Sequence, residues 1–218
     1  MDIKGVIFDL DGVLCSTDRF HYAAWKELAD SQGIPFDETI NQRLRGVSRM
    51  QSLEIILEHT SREYREEEKQ ALAREKNQRY QQQLAHLTPA GLTKDARFTL
   101  EALRAEGLLL AVGSSSKNAP LILQRLGLEN WFDAVADGND IVRSKPNPEV
   151  FLLAAERLKL PAYQCLVVED ADAGIEAAIN GNFQTAGLGP AYKNPRAAYH
   201  LKNIKQLLNI IPDIKTNP

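Results

Sequence analysis

Gly5-Val6-Ile7-Phe8-Asp9-Leu10-Asp11-Gly12-Val13-Leu14 is the stretch that decides how the chain is to be read. Val6, Ile7 and Phe8 form a short apolar run of the kind that becomes a strand buried on both faces. The run stops abruptly at Asp9-Leu10-Asp11-Gly12. Two carboxylates this close, at the mouth of an apolar strand, raise each other's pKa unless a cation lies between them. Oxygen-only ligands point to a hard divalent ion, and Mg²⁺ is the expected one. Gly12 permits a sharp turn and turns backbone N–H groups toward an anion. The same four residues also describe an ordinary turn closing a strand. A calcium-binding loop is excluded by spacing. Counted from Asp9, its fifth, sixth and twelfth places fall on Val13, Leu14 and Phe20, where an oxygen ligand, a glycine and a glutamate are required.

Downstream of this stretch the pattern is helical. Residues 17–32 predict a helix, stopped by Gly33 and Pro35, with Thr17, His21 and Trp25 on one face. Packing inside a small helical unit is the expected role of Trp25; for His21, which lies one short helix from the acidic loop, packing and function are evenly matched. Arg45-Gly46-Val47-Ser48-Arg49 follows. Ser48 and Gln51 form a capping-box pattern, so a helix is expected from here to about His59. A glycine and two arginines at a helix N-terminus suit an anion, although a solvated turn has the same composition. The polar segment 62–87 places Leu72, Tyr80, Leu84 and Leu87 on one side and its charges on a solvated face, with Lys76 as the candidate exception.

Beyond residue 90 the rhythm changes. Strands are expected at 108–113, 133–136, 165–168 and 183–187, and helices at 118–126, 147–158 and 172–181. This alternation means βαβ units and a parallel sheet. Because the first strand precedes the helical block, the block is an insertion into an α/β domain. The tail after Pro212 is expected to be loose.

Composition narrows the function. The 218 residues are 44% hydrophobic and 25% charged, as in an ordinary globular protein, and the net charge of −3 gives no electrostatic case for nucleic acid. The longest apolar run, Leu108 to Val112, is too short for a bilayer, and no signal-peptide core precedes Asp9. A cytoplasmic location is the expectation. Cys15 and Cys165 form no C-x-x-C pair, so neither a disulfide framework nor a zinc site is expected.

Ligands of open parallel sheets collect at the carboxyl ends of strands. Here those ends carry Asp9 and Asp11; then Ser114-Ser115-Ser116-Lys117-Asn118, hydroxyls and amides that open a helix; then Ser144-Lys145-Pro146; then Glu169-Asp170. Each has a plain reading as a helix cap or a turn. In this order, Asp9-Leu10-Asp11-Gly12-Val13, Ser114, Lys145 and Glu169-Asp170 resemble the four motifs of the haloacid dehalogenase-like phosphotransferases, over almost the whole chain. Within that superfamily the chain is similar to the β-phosphoglucomutase family, on His21, Trp25, Arg45-Gly46-Val47-Ser48-Arg49, Lys76-Asn77 and Ser116-Lys117-Asn118.

The resemblance implies a Rossmann-like parallel-sheet core at 1–15 and 93–218 and an inserted α-helical cap at 16–92. It implies Asp9 as the nucleophile and Asp11 as the general acid and base, with the Asp11 backbone carbonyl also on Mg²⁺. Glu169 and Asp170 would complete the metal site, and Ser114 and Lys145 would hold the transferring phosphoryl. Arg49, Ser116, Lys117 and Asn118 would grip the sugar's other phosphate, and Gly46 and Val47 would line the sugar pocket. His21, Trp25, Ser48, Lys76 and Ser115 would be further substrate contacts. The implied reaction interconverts β-D-glucose 1-phosphate and D-glucose 6-phosphate, primed by β-glucose 1,6-bisphosphate. A sugar-phosphate phosphatase or a non-catalytic phosphosugar-binding protein are the alternatives. The implied partners are hexose phosphates, with no nucleic acid and no membrane, and the protein is expected to be a monomer. Thr93-Lys94-Asp95 departs from the family, which usually has Pro-Gly where the chain returns from cap to core.

Overall fold

The computed structural model of the chain describes residues 3–44 and 47–216, with side chains as far as 211. Arg45 and Gly46, two of the expected cap residues, lie outside the described residues. Six strands form one sheet: β1 (Gly5–Phe8), β2 (Leu109–Gly113), β3 (Ala134–Ala136), β4 (Cys165–Glu169), β5 (Gln184–Leu188) and β6 (Tyr199–Leu201). All pairings are parallel, in the order β3-β2-β1-β4-β5-β6. The order reverses at β1, so the crevice beyond the carboxyl ends of β1 and β4 is the topological switch point.

The apolar strands are apolar because both faces are covered. Val6, Phe8, Leu110, Val112, Leu166 and Val168 face one layer, which includes Leu100 and Leu103 of α5 (Lys94–Ala105), Ile122 of α6 (Ala119–Arg125) and Leu207 of α9 (Leu207–Thr216). Ile7, Ala111 and Val167 face the other, built on Phe151 and Ala154 of α7 (Glu149–Arg157) and Ala177 of α8 (Asp172–Asn180). This is the period-two alternation of a strand expressed as two cores.

Between β1 and α5 the described residues form the helices α1 (Asp18–Gln32), α2 (Glu38–Gln42), α3 (Arg49–Leu57) and α4 (Glu66–Leu84). The expected capping box is present at α3: the Gln51 N–H donates to Ser48 Oγ, and the Ser48 N–H donates to Gln51 Oε1. Gly33 ends α1 with φ +68°, a left-handed cap that a side chain would strain. The helices have an apolar cluster of their own, with Trp25, Leu28, Phe36, Ile40, Leu53, Ile56 and Leu72. Phe20, Ala24, Tyr80 and Leu84 instead join the sheet-side cluster with Leu14 and Cys15, so α1 and α4 pack against the sheet side as well as against their neighbours.

The strands and helices read from the alternation are present, with ends shifted by a residue or two. Helix α5, strand β6 and helix α9 were not expected. The tail is corrected: α9 continues past Pro212 to Thr216. No helix among the described residues is long and apolar enough to cross a membrane.

Candidate active site

The carboxyl ends of β1, β2 and β4 and the inner surfaces of α1, α3 and α4 enclose a cleft of about 830 Å³. Asp9, Asp11, Ser114, Ser115, Ser116, Lys117, Asn118, Lys145, Glu169 and Asp170 line its floor; His21, Trp25, Val47, Ser48, Arg49 and Lys76 line its roof. The described residues given catalytic, metal or substrate roles from the sequence therefore line one cavity, whereas Thr17 and Asn77 are not part of its lining.

The floor is a knot of charge. The Asp9 N–H donates to the Val168 carbonyl at 2.9 Å, which pins the loop between β1 and β4. Lys145, 2% exposed, donates from Nζ to Asp9 Oδ1 at 2.5 Å and to Glu169 Oε1 at 2.6 Å. The other Glu169 oxygen accepts the Ala171 N–H at 2.9 Å. Two glycines make room. A Cβ at Gly12, whose φ is +88°, would meet Asp170 Oδ2 at 2.1 Å, and one at Gly174 would meet Glu169 Cδ at 1.9 Å. Burial pushes the Asp9 carboxyl well above its usual range; Lys145 pulls it down, and Glu169 and Asp170 push it up again. Burial disfavours the Lys145 ammonium, yet Asp9 and Glu169 outweigh it and hold that group above its ordinary value.

Asp9, Glu169 and Asp170 can each offer an oxygen within 4.8 Å of the others. Three buried carboxylates this close, two of them sharing one ammonium, are a group that a divalent cation would suit. The donors are all oxygen, so the set fits Mg²⁺. The Asp11 carboxylate is not among them. It accepts from the Thr17 hydroxyl, and burial raises its pKa to about 6 against that hydrogen bond. Thr17 stands at the N-cap position of α1 but makes no side-chain cap, because its hydroxyl faces Asp11 instead.

The roof has the opposite character. Lys76 is 2% exposed; its Nζ lies 2.8 Å from His21 Nδ1 and 4.8 and 4.6 Å from the ring centres of Trp25 and Tyr80. Among the described residues it forms no ion pair. Burial, then Arg49, drives its pKa far down, with Asp11 opposing. Burial, Lys76 and Arg49 depress His21 likewise, which favours the uncharged imidazole, and its Nδ1 shares a hydrogen bond with Lys76 Nζ. Desolvated cations with no paired carboxylate are a site for an anion.

Sequence reasoning missed two features. Thr17 was placed on the right helical face, but that its hydroxyl would leave the cap for Asp11 follows from the packing of α1 on the acidic loop. Asn77 and Gln81 of α4 hydrogen-bond Asn118, at 2.9 and 3.0 Å, in a contact between elements far apart in the chain. The thiols of Cys15 and Cys165 are free and buried, and burial pushes that of Cys165 up to about 12.

A model of haloacid dehalogenase-like hydrolases matches residues 3–182. The chain belongs to the haloacid dehalogenase-like family. Enzymes of this family are Mg²⁺-dependent phosphotransferases, and the chain is a homologue of β-phosphoglucomutases. It is 41% identical over 189 residues to the β-phosphoglucomutase of Bacillus subtilis, covering 86% of this chain and 84% of that one. It is 33% identical over 174 residues to the fructose-1-phosphate phosphatase YqaB of Escherichia coli, covering 80% and 90%. The crystal structure of β-phosphoglucomutase from Clostridium difficile superimposes with a TM-score of 0.91 at 35% identity, covering 98% of this chain and 97% of that one.

Proposed function

We propose that the chain interconverts β-D-glucose 1-phosphate and D-glucose 6-phosphate, passing a phosphoryl group through Asp9 and a β-glucose 1,6-bisphosphate intermediate. The observation that carries this reading is the roof. A family member that only hydrolyses phosphate esters needs the floor; Arg49 and the desolvated Lys76 supply a second anion site facing it. The Bacillus and Clostridium relatives support the same reading.

In this mechanism an Asp9 oxygen attacks phosphorus, the ester oxygen leaves, and an aspartyl phosphate forms. Lys145 and Ser114 hold the phosphoryl oxygens. Asp9, Glu169, Asp170 and the Asp11 carbonyl would hold Mg²⁺, which would supply positive charge against those oxygens. Asp11 turns from Thr17 to take the proton of the attacking C6 hydroxyl; on the return step it protonates the C1 oxygen as that bond breaks. Such acid–base help contributes a factor of about 10² to 10⁴. Arg49, Ser116 and Lys117 hold the phosphate that is not transferred, with Ser48, Ser115, Val47, Gly46 and Trp25 around the sugar and His21 orienting Lys76. The core (1–15 and 93–218) carries the chemistry, and the cap (16–92) closes over it so that a sugar hydroxyl, not water, meets the aspartyl phosphate. The bisphosphate primes the cycle, and the working unit is a monomer in the cytoplasm.

The Escherichia coli relative favours a second reading, a sugar-phosphate phosphatase with the same nucleophile. One assay separates them. β-Glucose 1-phosphate, Mg²⁺ and trace bisphosphate are mixed with the protein, and glucose 6-phosphate and free phosphate are both quantified. Glucose 6-phosphate in large excess supports the mutase; free phosphate released faster than glucose 6-phosphate forms supports the phosphatase.

A further inference from the structure

Asn118 ends the loop that follows β2, and its side chain is 6% exposed. Both edges of its carboxamide are used. Nδ2 donates to Asn77 Oδ1 at 2.9 Å, and Oδ1 accepts from Gln81 Nε2 at 3.0 Å. Asn77 and Gln81 are one turn apart on α4 and share a face. The chain of bonds continues into the loop. The Asn118 N–H donates to Ser116 Oγ, and the Ser116 N–H donates to Ser114 Oγ, each at 3.2 Å. Asn77 directly follows Lys76, and Gln81 lies in the last turns of α4, just before the chain returns to the core.

We infer that Asn77 and Gln81 are positioning residues that clamp the Ser114–Asn118 loop to the cap, through Asn118, and so fix both phosphate-holding groups of that loop relative to Lys76. The catalytic consequence rests on the phosphoryl-transfer reading of the cleft; the clamp itself is a property of the fold. Its position near the return crossing suits a pivot, one contact that persists while the rest of the cap swings. A loop displaced by about 1 Å can cost on the order of 10²-fold in rate.

The chemistry of three carboxamides in series gives a test that shape alone does not. Each amide can donate or accept, so the same two bonds form if the direction of donation is reversed. Asn77→Asp is tolerated as it stands, since residue 77 already accepts. Gln81→Glu is tolerated after reversal, with Asn118 donating to residue 81 and accepting from Asn77. The double variant fails in either direction, because one carboxylate then faces the Asn118 carbonyl oxygen. All three variants keep the shape of the originals.

The measurements are backbone amide exchange across Ser114–Asn118, and the ratio of phosphate released to glucose 6-phosphate formed from β-glucose 1-phosphate. Both singles are expected within about twofold of the parent, whereas the double exchanges faster and loses phosphoryl to water about tenfold more often. Equal behaviour of the double and the singles overturns the clamp. So do singles that each contribute half of the double's effect, the signature of added negative charge alone. If the parent protein makes no glucose 6-phosphate, the mutase reading fails, and amide exchange still decides the clamp.

Discussion

The floor and the roof of the cleft bury charge in opposite ways. On the floor, Lys145 bonds Asp9 and Glu169, Asp170 lies beside those two carboxylates, and acidic groups outnumber the lysine. In the roof, a lysine sits between two aromatic rings and an imidazole, and the surplus is positive. Burying either surplus alone costs stability. A ligand that brings a divalent cation to the floor and an anion to the roof relieves both, which describes a metal-bound sugar phosphate better than either component separately. The two lysines make the contrast sharp. Both are 2% exposed, yet Lys145 is held above its ordinary pKa by carboxylates and Lys76 is driven below it by burial.

The contrast breaks most visibly at Lys145. Lys145→Ala leaves the floor carboxylates without their fixed cation, and unfolding in denaturant should show a loss of about 3–5 kcal/mol, partly restored by Mg²⁺. Asp11→Asn tests the group between the two surfaces. Turnover should fall by about 10² to 10⁴ while sugar-phosphate binding, read by calorimetry, is retained. A nearly normal rate would remove Asp11 from catalysis.

Lys76→Met is the counterpart of Lys145→Ala in the roof. Thermal unfolding should show a fold at least as stable as the parent, because a desolvated ammonium is removed, while mutase flux drops. A smaller effect belongs to His21, whose folded-state pKa lies below the ordinary 6.5. The unfolded chain then binds a proton that the folded one refuses, so this contribution is intact above pH 6.5 and drains away as pH falls below it. His21→Asn should flatten that part of the stability profile. Least of all, Arg43→Ala, which removes an exposed pair with Glu58 at 2.7 Å, should leave the melting midpoint unchanged.

The floor was more legible in the sequence than the roof. Asp9 and Glu169 are strand-end residues, and a parallel sheet brings strand ends together whatever the details of packing; Lys145 comes from the turn that precedes α7. The roof depends on how α1 and α4 pack on each other and on the core. Helical periodicity put His21 and Trp25 on one face and left Lys76 as a lone charge, but the ring of Tyr80 beneath both His21 and Lys76 is tertiary. Asn118 shows the limit most clearly. Its residue type suggested a phosphate contact, and nothing in the sequence announced the bonds from its carboxamide to two side chains of a distant helix. Helices α5 and α9 were passed over because their apolar faces became meaningful only with the sheet to pack against.

The central claim is that the carboxylate beside Lys145 receives the phosphoryl group. Incubation with an acyl phosphate donor and Mg²⁺, acid quenching and mass spectrometry of the Gly5–Leu14 peptide test it directly. One added phosphoryl group on Asp9, absent from Asp9→Asn and discharged by added β-glucose 1-phosphate, is the expected result. A phosphoryl group on any other residue, or an equally phosphorylated Asp9→Asn protein, would contradict it.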